Sequence, residues 1–287
     1  MKKLFTLFLA ISAFVFSNSY SQPNWTIQTS GTSKDLFGIK FTSLSTGYVV
    51  GDSGTVRKSV NGGSSWFALN PGTSYTVRSL SFLDNNTGYI AGDQGVLRKT
   101  TNGGSNWFVL TSGLATDLRS IYAVDQNIVF ACGNNGLVLK TTNGGVNWIT
   151  QASGTIANLN SIYFLNANTG WLVGDQITIR KTTNGGSSWF IQAVAVNGLL
   201  TSVKFSDENN GIITTGATNV TFYKTSDGGN NWNPVFIGPN NYTSRCIDFV
   251  DNIYGYIGGD IGSYYTSGNG GISWAQSPGG TSAWIYG

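Results

Sequence analysis

Three observations predict an all-β fold built from one repeated four-stranded unit. A Gly-Gly turn ending in Trp recurs six times, as SVNGGSSW (59–66), TTNGGSNW (100–107), TTNGGVNW (141–148), TTNGGSSW (182–189), TSDGGNNW (225–232) and SGNGGISW (267–274). With an isolated Trp25, the Trp series advances by 41, 41, 41, 41, 43 and 42 residues. Each interval holds four short apolar segments, and none carries a helical period with caps. A four-stranded unit repeating every 40–50 residues or so is the sequence form of a β-propeller blade.

Taken in order, the chain opens with Met1-Lys2-Lys3 and an apolar run from Leu4 to Phe16. That run is shorter than the roughly 20 residues a membrane span needs. Ser19 and Ser21 stand at the −3 and −1 positions before Gln22, so residues 1–21 read as a secretory signal peptide. No Cys follows the run, which excludes a lipid anchor there. The expectation is a secreted, periplasmic or cell-surface protein whose mature part, 22–287, is a single propeller domain.

Inner strands are predicted at Leu36–Phe41, Val77–Phe82, Leu118–Ala123, Leu159–Phe164, Leu200–Phe205 and Ser244–Phe249. Second strands follow a Gly-aromatic step, as in Gly47-Tyr48, Gly88-Tyr89, Gly170-Trp171 and Gly255-Tyr256. Third strands, such as Thr55–Ser59 and Val96–Thr100, run into the turn phrase, and fourth strands begin at its Trp. Their lysines, Lys58, Lys99, Lys140, Lys181 and Lys224, are expected to lie along the strand with solvated ends. In the turn itself, Asn61, Asn102, Asn143, Asn184, Asp227 and Asn269 bond their own backbone, and the next Gly takes a positive φ. Trp66, Trp107, Trp148, Trp189, Trp232 and Trp274 then cover the hairpins. Five amides among six turn residues argue for structure rather than metal binding or acid catalysis.

Trp25-Thr26-Ile27-Gln28 reads as a fourth strand with no predecessors, and Trp284-Ile285-Tyr286-Gly287 as the opening of another inner strand. The expectation is therefore six full repeats plus an incomplete seventh blade, truncated at the C-terminus. A closed six-bladed ring is the alternative.

The turn phrase resembles the Asp-box, or bacterial neuraminidase repeat. The whole unit, GYVVGDSGTVRKSVNGGSSW in its first copy, resembles the propeller family of photosystem II assembly and stability factors. The resemblance spans about 36–277 and implies a binding or assembly scaffold with an Arg-rich patch on one face. Such units are also common in exported proteins of Bacteroidetes-type bacteria, where a type IX secretion sorting domain often follows.

Only 10% of the 287 residues are charged, against roughly 25% in an average domain. There is no His, which removes Ser-His-Asp and Cys-His nucleophiles and every His-ligated metal site. No catalytic residue, metal or cofactor is expected. Without the first 21 residues the chain holds 14 basic and 13 acidic side chains, too near neutrality to attract nucleic acid. Cys132 and Cys246 are expected to be buried and unbridged.

The candidate binding site is the mouth of the channel, where inner strands open with Phe37, Arg78, Arg119, Asn160, Thr201 and Arg245. Guanidinium groups there could hold a carboxylate, a phosphate or an acidic peptide. The turns between second and third strands add Asp52, Asp93, Asn134, Asp175 and Asp260, which could instead neutralise the arginines. Arg78, Arg119, Arg245 and Asn160 are the site candidates for a protein or peptide partner. One alternative is a glycan-binding surface using Tyr75, Tyr242 and Trp284. Another is a sialidase- or xyloglucanase-type hydrolase, against which stands Glu208, the sole Glu, on the opposite face.

Overall fold

The computed structural model describes residues 28–192, 198–216, 222–236, 244–249, 253–259 and 264–277. These form six four-stranded antiparallel sheets, each ordered as in sequence from the inner to the outer strand. The first blade comprises Leu36–Phe41, Gly47–Gly51, Thr55–Ser59 and Phe67–Leu69. The second has Val77–Phe82, Gly88–Gly92, Leu97–Thr100 and Phe108–Val109, and the third Leu118–Ala123, Val129–Gly133, Val138–Thr141 and Ile149–Gln151. The fourth has Leu159–Phe164, Gly170–Gly174, Thr178–Thr182 and Phe190–Ile191. The fifth and sixth begin at Leu200–Phe205 and Ser244–Phe249 and end at Asn233–Val235 and Ala275–Ser277. All six inner strands have the expected bounds. Of the segments that would make a seventh blade, 25–28 and 284–287, all but Gln28 lie outside the described residues, as does the signal segment.

Second strands are buried almost throughout, because neighbouring blades cover both their faces. The aromatic at the second position of the second strand stacks on the Phe that ends the next blade's inner strand, where that blade has one. Tyr48 lies 3.9 Å from Phe82, Phe130 3.8 Å from Phe164 and Trp171 3.6 Å from Phe205. Each Phe also meets its own blade's Trp edge-on, as Phe82 does Trp107 and Phe205 does Trp232. The Gly opposite each Phe is required by this packing: a Cβ on Gly88 would sit 2.4 Å from the Phe82 ring. The third blade solves the same problem in reverse, pairing Ala123 with Val129. In the first blade, Ile39 and Phe41 are 42% and 39% exposed, whereas Ile162 and Phe164 are buried against the preceding blade.

The turn phrase is built as expected. Ser59 Oγ accepts from Gly63 N at 2.8 Å, and Asn61 Oδ1 accepts from Ser65 N at 2.9 Å. The same pair of bonds recurs from Thr100, Thr141, Thr182, Thr225 and Ser267. The lysines behind these turns differ from expectation. Lys58 Nζ donates to Gly103 O of the next blade (3.0 Å), Lys99 to Gly144 O (3.1 Å) and Lys140 to Gly185 O (2.7 Å). Lys181 and Lys224 do the same to Gly228 O and Gly271 O. The first four ammonium groups also lie 5.2–5.3 Å over the aromatic ring of their own second strand. They staple blades together because the carbonyl of a buried turn glycine on the neighbouring blade lies within reach of the four-carbon stem.

Inner strands are coupled by hydroxyls. Ser79, Ser120 and Ser161 accept the amides of Ile121, Ile162 and Val203, each one blade on.

Candidate functional site

The turn phrases and the hairpins between first and second strands occupy one face. Each phrase docks on its own blade's hairpin, as Gly103 N does on Asn86 O and Gly228 N on Asn209 O. Glu208 sits in such a hairpin, so it belongs to this face. The opposite face carries the connections into the inner strands and the turns between second and third strands. Asp93 N and Asn134 N bond Thr76 O and Asp117 O there, so each turn is locked to the connection entering its own blade. These locks bring the candidate arginines and the turn residues together.

Arg78 pairs with Asp93 through Nε and Nη2, the second bond being 2.9 Å to Oδ2. Its charge also lies 5.7 Å over the Phe37 ring. The Asp93 bond raises the Arg78 pKa and so holds the guanidinium charged, with the Asp93 carboxylate offsetting that charge locally. Burial opposes that shift, while Asp93, Asp117 and Asp52 reinforce it. Arg119 differs. Its Nε donates to Asn134 Oδ1 and its Nη1 to Asn160 Oδ1, both at 2.7 Å. Asn160 in turn donates to Asp175 Oδ1 (2.9 Å) and Leu200 O (2.8 Å). Thr201 continues the chain to Ser244 O at 3.1 Å. Asn134 likewise donates to Asp117 Oδ2 at 3.2 Å, so Arg119 holds a fixed position among neutral amides that each hand on to a carboxylate, with no direct ion pair among the described residues. Arg245 is half-buried at the corresponding place in the sixth blade. Asp260, Tyr242 and Trp284 lie outside the described residues.

Two open cavities lie on the same face. One, of about 490 Å³, is bounded in the second blade by Tyr75, Gln94, Arg98 and Leu114. The other, of about 740 Å³, occupies the equivalent place in the third blade, beside Leu137, Ser153 and Ile156. Nothing in the residue types of single repeats marks these hollows. They arise between a connection and a turn, and only Arg98, spaced 41 residues from Arg57, gave a sequence signal. In the fourth blade Ile177 holds a left-handed φ of 60° where Gly54, Gly95 and Gly136 stand in the first three. A β-branched residue rarely adopts that conformation.

Neither cysteine forms a disulfide. Cys132 is fully buried and burial raises its pKa; packing pushes the half-buried Cys246 thiol up to about 11. Neither is a thiolate at neutral pH. Among the described residues no three acidic or thiol side chains cluster to hold a metal, and no helix is long and apolar enough to cross a membrane.

A family model described as "Photosynthesis system II assembly factor YCF48" matches residues 17–163 and 153–276. Comparison with curated proteins gives no match. Among solved structures, "YCF48 from Cyanidioschyzon merolae" is similar at a TM-score of 0.73 and 20% identity, covering 89% of each chain. "YCF48 bound to D1 peptide" gives a TM-score of 0.71 and 20% identity, covering 87% of this chain and 82% of that one. An ancestral GH74 enzyme is similar at 0.58 and 23% identity, but only 32% of its chain is covered. At these identities the likeness is one of fold.

Proposed function

The chain belongs to the photosynthesis system II assembly factor YCF48 family, and from that membership we propose that it is a non-enzymatic propeller scaffold holding a protein or peptide segment. The observation that carries this reading is Arg119. Its two neutral amide partners fix the guanidinium at the channel mouth without a direct ion pair, and the carboxylates Asp117 and Asp175 are engaged through those amides rather than by Arg119 itself. An incoming carboxylate meets a preorganised donor there, so less ordering opposes binding than for a mobile surface arginine. Arg78 is already paired with Asp93 and contributes position more than charge. A structurally similar protein was solved with a peptide bound, which supports the class of partner. The basic start and apolar run of residues 1–21 support export as the setting in which the partner is met.

The test is capture from an exported protein fraction by immobilised wild type and by Arg119→Ala, Arg78→Ala and Arg245→Ala proteins. Wild type is expected to retain one partner that Arg119→Ala loses at unchanged thermal stability. Equal capture by all variants would move the site away from the channel mouth. Release of sugar from a sialoside and β-glucan panel by wild type would overturn the non-enzymatic reading.

A further inference from the structure

The chain holds six arginines, and they fall in two columns of three. Arg78, Arg119 and Arg245 open inner strands. Arg57, Arg98 and Arg180 stand on third strands, and the channel mouth does not use them. Their hydrogen bonds go to backbone carbonyls: Arg57 to Trp66 O (3.1 Å), and Arg180 to Ile179 O and Gly154 O (both 3.2 Å). Arg98 bonds Leu97 O at 2.9 Å, Pro71 O at 3.3 Å and Gly72 O at 3.4 Å. The ion pairs among the described residues, Arg78–Asp93 and Lys204–Asp248, lie elsewhere.

Arg98 is distinguished from its two counterparts by what lies beside it. It lines the cavity of about 490 Å³, with Tyr75, Gln94, Thr111 and Ser112 around it. A guanidinium has five N–H groups, and the three carbonyl bonds leave Arg98 with donors to spare. Partial burial lowers its pKa, so its charge lacks full solvation and has no carboxylate to offset that loss. In the third blade the same column holds Leu139, which is buried, and the equivalent cavity is walled by Leu137 and by Ile156, 85% exposed. Consecutive blades thus present two hollows of the same make, both with hydroxyls on their walls, one cationic through Arg98, the other uncharged with Ile156 standing out of it.

We propose that these two hollows are consecutive subsites for one extended segment of the partner, the second-blade hollow taking a carboxylate on Arg98 and the third-blade hollow an apolar side chain against Ile156. This rests on the scaffold reading, and it names what that scaffold selects: an apolar residue and a carboxylate at a fixed separation. The carboxylate comes from an acidic side chain or from the partner's C-terminus.

Fluorescence anisotropy tests it with labelled Ala/Ser peptides carrying one Leu and one Asp two to six positions apart, C-terminally amidated. An Asn set, and an Asn set with a free C-terminal carboxylate, complete the probes. Wild type is expected to prefer at least one acidic peptide to its amidated Asn counterpart by about tenfold or more, a ratio appropriate to a charge-assisted bond. Arg98→Leu, which copies the third blade's own residue, should cut that preference below threefold. Arg98→Gln, which keeps an amide donor, should do the same if the leucine variant is unstable. Ile156→Ser should weaken every Leu peptide about fivefold and leave the Asp-to-Asn ratio unchanged. Whichever carboxylated set is preferred identifies the source. A preference that survives both Arg98 variants, or equal binding of all sets by wild type, overturns the groove assignment alone. No binding of any peptide by wild type overturns it together with the scaffold reading.

Discussion

Exchanging the packing solutions of the second and third blades tests the account of how these blades fit. Phe82 is 8% exposed, stacks on Tyr48 and meets Trp107, so Phe82→Ala should cost about 4 kcal/mol. Gly88→Val alone forces a side chain onto that ring, since even a Cβ would approach it to 2.4 Å, and should cost about 1–3 kcal/mol. Together the two changes recreate the Ala123–Val129 pair of the third blade. Valine returns about half the carbon atoms that Phe82→Ala removes, which at about 0.8 kcal/mol per carbon recovers about 2 kcal/mol and abolishes the clash. The double variant should therefore lose only about 1–3 kcal/mol, well below the sum of the single losses. The assay is guanidinium unfolding of all four proteins followed by tryptophan fluorescence, with the slope checked for constancy. Single losses that add to within about 0.5 kcal/mol would refute the argument, because non-interacting sites behave that way.

Two further outcomes follow from the turn phrases. Lys140→Met removes the bond to Gly185 O and the contact over Phe130 while keeping an apolar stem. Allowing for solvent screening at a half-buried group, it should cost about 1–2 kcal/mol and lower the melting temperature by about 2–6 °C; an unchanged midpoint would return these lysines to the solvated class. Asp227 is the one carboxylate among the six turn residues, and bonds from the Asn231 backbone and side chain and the Thr225 hydroxyl hold its pKa down to about 2. Its folded pKa is depressed, so its stabilisation is present above the ordinary carboxylate value near 4 and fades as pH falls toward about 2. Asp227→Asn, which copies the other five blades, should flatten the part of the melting-temperature curve between about pH 4 and 2 that this carboxylate contributes; parallel curves for the two proteins would remove Asp227 as a source of acid sensitivity.

Strand positions were legible because each is bracketed by residues with one physical use. Gly47, Gly88, Gly170, Gly211 and Gly255 begin second strands only where a Phe ring lies across from them. The lysine staples were not legible. A strand position says which way a side chain leaves the sheet, but not that a carbonyl 45 residues on, such as Gly103 O for Lys58, waits in reach. Their recurrence every 41 residues through the first four blades, in a chain so poor in charge, was the available signal. At the channel mouth the sequence set out both an acidic and an amide partner for the arginines. Which arginine meets which depends on each turn folding back on its own blade, 15 residues away in both cases. Ile177 shows the limit of local propensity, since the blade keeps its left-handed turn although the residue opposes it.

The repeats also serve as comparisons within the molecule. On the face of the turn phrases, six blades use the same hydroxyl, the same amide or acid and the same two glycines, and those hydroxyl and side-chain carbonyl or carboxylate oxygens are spent on the turn's own backbone. Such uniformity is what blade stacking demands, since each turn must meet a like neighbour. On the opposite face, equivalent positions hold Phe37, Arg78, Arg119, Asn160 and Thr201, and a third-strand column changes from Arg57 and Arg98 to Leu139. Stacking does not require those differences, because Leu139 is as well buried among its neighbours as the fold needs. In a chain so poor in charge, a guanidinium fixed on neutral acceptors is electrostatically incomplete in isolation. Arg98, on backbone carbonyls, has that property, and Arg119, whose amide partners hand on to Asp117 and Asp175, has it in part; both lie on the variable face. A single negatively charged segment crossing the second and third blades would complete the two together, whereas a partner bound to the uniform face would find the turn hydroxyls and side-chain oxygens already engaged.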